Sequence, residues 1–514
     1  MASTDIKNTL KKLDNRVIEF INKHALSGMA VGVVQDGKLV YGKGFGLAEA
    51  ESKKPVTTDT VFRIASISKT FTAIGIMQLW EKGKFKLDDP VNDYLKDYQV
   101  LHPDPHAPPV TFRHMLTHTS GIGEMRDMSD LLKGFVKPSS FSYKPNKPLP
   151  ALEDYYNGLL VPDVHPDKKW AYANNAYATL GQVIEDVSGQ PFAEYMIEHV
   201  FEPLGMNKTD FDLSERVEAE LAQGYTLKKG FLDVVEYSIF PGRAAGSAMS
   251  SVQDMALYLA ALMNGARNEH GSVLKAKTIE KMMTPHYRED PHLAAMGLCF
   301  FLEDLDGHTA AWHGGSLPGF NCSMWVAPDD KFGVLVFANS NTRAIYHLGK
   351  DILRSLIGLP DFSERLPKPD VTNSPHLWKD LVGSYQPYKG FNSNMRIWMG
   401  YGGEVEVYVR DGKLMLRSLA GPYKKGIVLY PVDAQDPLAF ESVNDDKLMQ
   451  LVFQRNAEGY IDHLSISTLS SLYTFYKVPK TRSLRFMIKT AAGVLAGIIL
   501  GILGKSIAKK CCKK

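Results

Sequence analysis

The sequence predicts an α+β protein: an antiparallel sheet flanked by helices, followed by a smaller all-β domain. Three observations carry this. Hairpin patterns stand near both ends of the first 360 residues, with apolar helical patterns between them. Prolines cluster at 360, 367, 369 and 375. Beyond them the pattern changes to short alternating strands.

Taken in order, Leu10, Leu13, Val17, Phe20 and Ile21 recur near helical spacing, so residues 1 to about 25 read as an amphipathic helix. From Ala30 to Phe45 the chain reads as a hairpin, Val31, Val33 and Val34 leading into Asp36-Gly37 and Leu39-Val40-Tyr41 returning. Ile64 to Trp80 is a largely apolar helix stopped near Gly83, and so buried. Residues 122 to 168 are proline-rich loop, placed to shape a pocket. Tyr177, Leu180, Ile184 and Val187 mark a helix ending at Gly189. Cys322 to Ala327 and Phe332 to Asn339 form the second hairpin, around Pro328-Asp329-Asp330, and Ala344 to Ile357 reads as a helix. The expected organisation is a domain over 1–360, a linker over 361–375, a β domain over 376–480 and a tail over 481–514. The expected β runs include Met395-Arg396-Ile397-Trp398, Val405 to Val409, Lys413 to Leu416 and Leu448 to Phe453.

Composition narrows the function classes. A chain of 514 residues exceeds one core. Apolar residues at 44% and charged ones at 23% are ordinary for a globular protein, and a net charge of +2 gives no case for nucleic-acid binding. Four cysteines (299, 322, 511 and 512) make neither a disulfide scaffold nor a zinc site, and fit a reducing compartment. The N-terminus lacks the apolar stretch of a secretory signal, so an intracellular location is expected. Residues 491 to 503 are unbroken Ala, Gly, Val, Leu and Ile, flanked by Arg482, Arg485 and Lys489 on one side and five lysines on the other. With 486–488 the run reaches about 18 residues, the lower limit of a bilayer span, and predicts membrane association through the tail. Its glycines at 493, 497 and 501 suit close helix packing, and Cys511-Cys512 are candidates for acylation.

Three motifs carry chemistry. Ser66-Ile67-Ser68-Lys69 sets a hydroxyl and an amine three residues apart at the start of a helix, on one face, where the positive end of the helix favours a deprotonated serine and a neutral lysine. Tyr172-Ala173-Asn174 offers a phenol to relay a proton and an amide to hold a lysine and a substrate carbonyl. His313-Gly314-Gly315, followed by Ser316, is a strand edge that its glycines let approach a ligand. The motifs follow one another roughly 100 and 140 residues apart, and their order is far more specific than any one of them.

With these three in sequence, the chain resembles the serine beta-lactamase and penicillin-binding-protein superfamily, in particular its beta-lactamase-related esterases and peptidases. Val110 to Gly121 and Ala245 to Ser251 resemble further segments of that group, and Leu381-Val382-Gly383-Ser384-Tyr385 resembles the opening of its appended lipocalin-like domain. The resemblance implies a sheet-and-helix domain with an all-helical subdomain. It implies Ser66 as the nucleophile that forms an acyl-enzyme, Lys69 as the base, and Tyr172 as either proton acceptor or acid for the leaving group. Asn174 would orient Lys69 and the substrate, and the backbone N–H groups of Ser66 and Ser316 would form an oxyanion hole; Asn175, beside Asn174, reads, as an asparagine at a helix start commonly does, as a cap for the following helix. His313 stands with Gly315 where many penicillin-binding relatives carry the lysine of K-T-G. A mostly neutral histidine there weakens the attraction for a substrate carboxylate, and so for beta-lactams.

The function expected is hydrolysis of a small ester, amide or peptide, with no cofactor and no metal. His114 and His118 lie four apart but read as packed structural histidines. The alternatives are a beta-lactamase or D-amino-acid peptidase, and a non-catalytic membrane-linked scaffold that keeps the fold. The sequence leaves the substrate and the oligomeric state open; an oligomer is compatible with it.

Overall fold

The structure, a computed structural model, describes residues 3–125, 143–145, 147–360, 373–388, 395–444, 447–468 and 471–491. The N-terminal helix α1 (Ser3–His24) buries Leu13 and Val17. The expected hairpin follows as β1 (Gly28–Gln35) and β2 (Lys38–Glu49). Asp36 at φ 50° and Gly37 at φ 77° supply the two left-handed residues that a type I′ turn requires. β3 (Lys54–Pro55), β4 (Ala295–Met296), β5 (Phe301–Leu305), β6 (His308–Leu317), β7 (Phe320–Ala327) and β8 (Phe332–Ala338) complete one sheet. Its order is β4-β5-β6-β7-β8-β1-β2-β3. The two hairpins therefore join in space: β1 pairs antiparallel with β8 from Met29 opposite Ala338 to Gln35 opposite Phe332.

Helices cover both faces. α2 (Ser68–Glu81) is buried from Ser68 to Leu79, as its all-round apolar sequence requires. With α3 (Asn174–Ser188) and α4 (Val252–Met263) it fills one apolar cluster, in which Phe71, Leu180 and Leu259 meet Val34 and Leu335 of the sheet. On the other face, Ile352 and Leu353 of α5 (Ile345–Leu356) meet Trp325 and Val334. Sheet residues that are apolar on both faces, as in β7 and β8, follow from this double cover.

The C-terminal region is a nearly closed antiparallel barrel of nine strands, running from Gly383–Pro387 to Ser471–Val478. The two strands at the ends of its spatial order, Ile427–Val428 and Tyr430–Pro431, are separated by one residue of chain. Its own core holds Tyr385, Leu416, Leu451, Leu464 and Phe475. One element departs from the expected strands. Met395-Arg396-Ile397-Trp398 lies in a helix, α6 (Met395–Tyr401). Ile397 and Tyr401, four apart, face the barrel core together, and Gly402 and Gly403 with positive φ follow the helix. A four-residue window with apolar ends fits either period.

The barrel docks on the first domain. Ala439, Val452 and Leu472 share an apolar cluster with Trp170, Tyr172 and Leu293. Lys169 Nζ lies 2.9 Å from Glu289 Oε1, which also accepts hydrogen bonds from Ser465 (3.3 Å) and Thr474 (3.4 Å) of the barrel. No helix among the described residues is long and apolar enough to cross a membrane. The apolar tail run beyond Ala491 and Cys511-Cys512 lie outside the described residues.

Candidate active site

Ser66 lies in a 3-10 turn, Ala65–Ile67, that leads directly into α2. Ala65 takes φ 51°, a left-handed conformation that costs a non-glycine residue about 1 kcal/mol or more and is held here by its surroundings. The surroundings are specific. A Cβ on Gly315 would stand 2.0 Å from the Ile64 carbonyl oxygen and 3.2 Å from Ala65 Cβ. Only glycine lets β6 close on the turn that carries Ser66. On the opposite side, the backbone N–H of Ala248 donates to Ser68 Oγ at 2.9 Å and Thr72 Oγ1 donates to Ala244 O at 2.7 Å, clamping residues 244–248 onto α2.

One helical turn on, Lys69 is fully enclosed. Its Nζ donates to Ser66 Oγ at 3.2 Å, to Asn174 Oδ1 at 2.8 Å and to Ala245 O at 2.5 Å. Burial, with a smaller contribution from the Arg396 charge, brings its pKa down to about 7. Near neutral pH a substantial share of this amine is therefore free to take a proton. Tyr172 lies beside Ser66, and its ring centroid is 4.9 Å from Lys69 Nζ. Burial pushes the Tyr172 phenol up, while Arg396 and Ser66 pull it back down. Ser66, Lys69 and Asn174 thus form one hydrogen-bonded group, with Tyr172 packed against it.

His313 is buried, with Nδ1–H donating to Gly314 O at 2.8 Å. Burial and the Lys69 charge push its pKa down to about 3, so it is neutral at physiological pH. Ser66 and Ser316 line a common cavity of about 300 Å³ with Asn174, Tyr155 and Leu317, of a size that holds a small ligand.

The histidine pair is divided between two tasks. His114 Nδ1 accepts from the Thr111 N–H at 3.2 Å while Nε2 meets Asp167 at 2.9 Å. His118 Nδ1 accepts from the Ala173 N–H at 3.2 Å, and its ring lies 4.4 Å from that of Tyr172. His118 thereby props the Tyr172 segment. Asn175 differs from expectation. The N-cap of α3 is Ala173. Asn175 instead ties down the 123–124 loop, its Nδ2 donating to Gly123 O (3.3 Å) and Glu124 O (3.1 Å).

Two charged residues of the cavity carry no sequence motif. Glu124 lies just past the Thr119-Ser120-Gly121 segment. Arg396 comes from α6 of the barrel domain, 330 positions after Ser66. Arg396 Nε and Glu124 Oε1 are 2.5 Å apart, and the guanidinium carbon stands 4.2 Å from the Tyr172 ring centroid. Both residues line the cavity with Ser66.

The family model described as Beta-lactamase matches residues 13–357. A putative penicillin-binding protein, PbpX, of Bacillus subtilis is 27% identical over 64% of this chain and 75% of its own length. Protein flp of Staphylococcus aureus is 23% identical over 67% of this chain and 66% of its own. An octameric penicillin-binding protein homologue from Pyrococcus abyssi, 27% identical, superposes with a TM-score of 0.59 over 91% of this chain and 99% of that one. The hydrolase EstCE1, 20% identical, superposes with a TM-score of 0.58 over 69% of this chain and 99% of that one, which is a likeness of fold.

Proposed function

This chain belongs to the beta-lactamase family of serine hydrolases, and on that premise we propose that it cleaves a small ester, amide or peptide through an acyl-enzyme on Ser66. The observation that carries the reading is the contact group itself: Lys69 Nζ within 3.2 Å of Ser66 Oγ and 2.8 Å of Asn174, with the Tyr172 phenol on the same serine. Ser66 Oγ attacks the acyl carbon as its proton passes to the neutral Lys69 amine. The oxyanion is held by the backbone N–H groups of Ser66 and Ser316, each such donor contributing about 3 kcal/mol in enzymes of this kind. The proton then goes to the leaving group through Tyr172 and Lys69. Water attacks the acyl carbon by the reverse relay, so one pair serves both steps.

The penicillin-binding relatives favour a second reading, a beta-lactamase or D-amino-acid peptidase. Against it, the His313 position holds an uncharged imidazole where a lysine would draw a carboxylate. A fluorophosphonate probe is expected to label the full-length protein on Ser66 and to leave Ser66→Ala unlabelled. Aryl acetate hydrolysis should run well ahead of nitrocefin hydrolysis. Absence of both label and turnover would end the hydrolase reading, and nitrocefin turnover far exceeding ester turnover would install the second one.

A further inference from the structure

The cavity is built by two domains. α6 of the barrel sends Arg396 across the domain boundary to the face of Tyr172, where its guanidinium carbon is 4.2 Å from the ring centroid. Lys69 Nζ approaches the same ring to 4.9 Å. Two cationic side chains thus share one phenol, both in a setting with little water: Lys69 is fully buried and the Arg396 side chain is about one quarter exposed. Like charges set against one ring in a site of low dielectric repel. One of the two must give up its proton if the repulsion is to be relieved. A guanidinium does not, and Glu124, whose side chain is almost wholly enclosed, holds this one in its charged form.

The remaining groups around Lys69 are uncharged where it titrates. Tyr172 and Tyr177 are phenols raised by burial, and Cys299 is a thiol pushed up to about 12. His313 and His118 are held neutral by burial. Asn174 and Ala245 O contribute only dipoles. Among the described residues facing Lys69, this leaves Arg396 and Glu124 as the fixed charges, opposite in sign and acting in opposite directions on the amine.

We propose that Arg396, supplied by the C-terminal barrel, is a positioning residue of the active site: its permanent charge against Tyr172 drives Lys69 toward the neutral, proton-accepting form and eases charge development on the phenol. The barrel is then a working part of the catalytic centre. The proposal rests on Lys69 being the base, and it goes beyond that reading by placing the control of the base in another domain.

The experiment is the pH dependence of kcat/KM for a neutral aryl acetate, measured on full-length wild type, Arg396→Met, Glu124→Gln and Lys69→Ala. Wild type should rise through an acidic limb near neutral pH. Arg396→Met should move that limb to higher pH by about one unit, with an approximately tenfold loss on the acid side that alkaline pH restores. Glu124→Gln should move it to lower pH. A merely structural role for Arg396 would depress the whole profile without moving the limb, and that result overturns the proposal. A limb that stays put, with KM raised only for a carboxylate-bearing aryl ester assayed in parallel, assigns Arg396 to substrate binding and overturns it as well. If Arg396→Met is recovered only in unfolded form, the Glu124→Gln limb decides alone, its movement to lower pH supporting the proposal and its constancy overturning it. Lys69→Ala tests the underlying reading independently, since full activity in that variant removes Lys69 as base whatever Arg396 does.

Discussion

At the scale of single residues, the proposed mechanism turns on one amine that must be uncharged to work. The pKa of Lys69 is brought to about 7 first by burial, with Arg396 lowering it further and Cys299 and Glu124 opposing, while Ser66 Oγ, Asn174 Oδ1 and Ala245 O fix the position of the amine. The sign follows directly. A base is competent when deprotonated, so activity rises with pH through about 7 and levels above it. Lys69→Arg separates charge from basicity. It keeps a cation and donors on a long side chain but cannot accept a proton at any working pH. A loss of about 10²–10⁴ in kcat is expected across the whole pH range, read by steady-state hydrolysis of an aryl ester with circular dichroism as the control for folding. An Arg variant that retains wild-type turnover would mean that Lys69 serves as a charge and not as a base. His313 shows the same principle in the opposite sense. Burial keeps it neutral, so it can accept or donate a hydrogen bond but offers no charge to a substrate.

At the scale of elements, three segments with no sequence adjacency are forced together by small residues. The 3-10 turn of Ser66 is squeezed between β6 and the 244–248 segment, and Gly315 is the contact point. A Cβ there meets backbone, not a flexible side-chain end, so the neighbour has no cheap way to yield. Gly315→Ala is expected to cost about 1–3 kcal/mol of stability and to reduce turnover more than that figure implies, because the displaced atoms belong to the turn that carries Ser66, the proposed nucleophile. Chemical denaturation together with fluorophosphonate labelling rate measures both. Unchanged labelling at lowered stability would separate β6 packing from catalysis. The spacing of the three motifs was legible because each is local: a serine and lysine one turn apart, a tyrosine and asparagine two apart, a glycine pair on a strand. The helix at Met395–Tyr401 was not legible, since its i,i+4 pair Ile397 and Tyr401 is also compatible with alternation in a short window. Nor was the role of Asn175, whose side chain is claimed by carbonyls of a loop more than 50 residues earlier.

At the scale of the whole molecule, the position of Arg396 depends on how the barrel sits on the first domain, and no local pattern encodes that. The docking surface combines the apolar cluster around Trp170 and Leu472 with buried polar contacts around Glu289. A separate clamp lies beside it. His292 of the first domain faces Asp290 through Nδ1 at 3.0 Å and Asp433 of the barrel through Nε2 at 3.0 Å, with Asp436 of the barrel 3.6 Å from Nδ1. Burial opposes the charged imidazole, but the hydrogen bonds to Asp433 and Asp290 and the charges of Asp290 and Asp436 outweigh it, so the pKa is raised above 6.5. A group raised in the folded state stabilises fully below its unfolded pKa and loses that contribution as pH climbs through the folded value. Docking should therefore be tightest on the acid side of 6.5 and relax on the alkaline side of the raised pKa. His292→Gln keeps a polar side chain and removes the titrating charge. Melting temperatures of wild type and His292→Gln should differ most below pH 6.5 and converge as pH rises through that window. A gap that is constant with pH would mean that His292 acts by shape and hydrogen bonding alone. A gap that widens with pH would reverse the sign of the clamp and place the protonated imidazole among the costs of the interface.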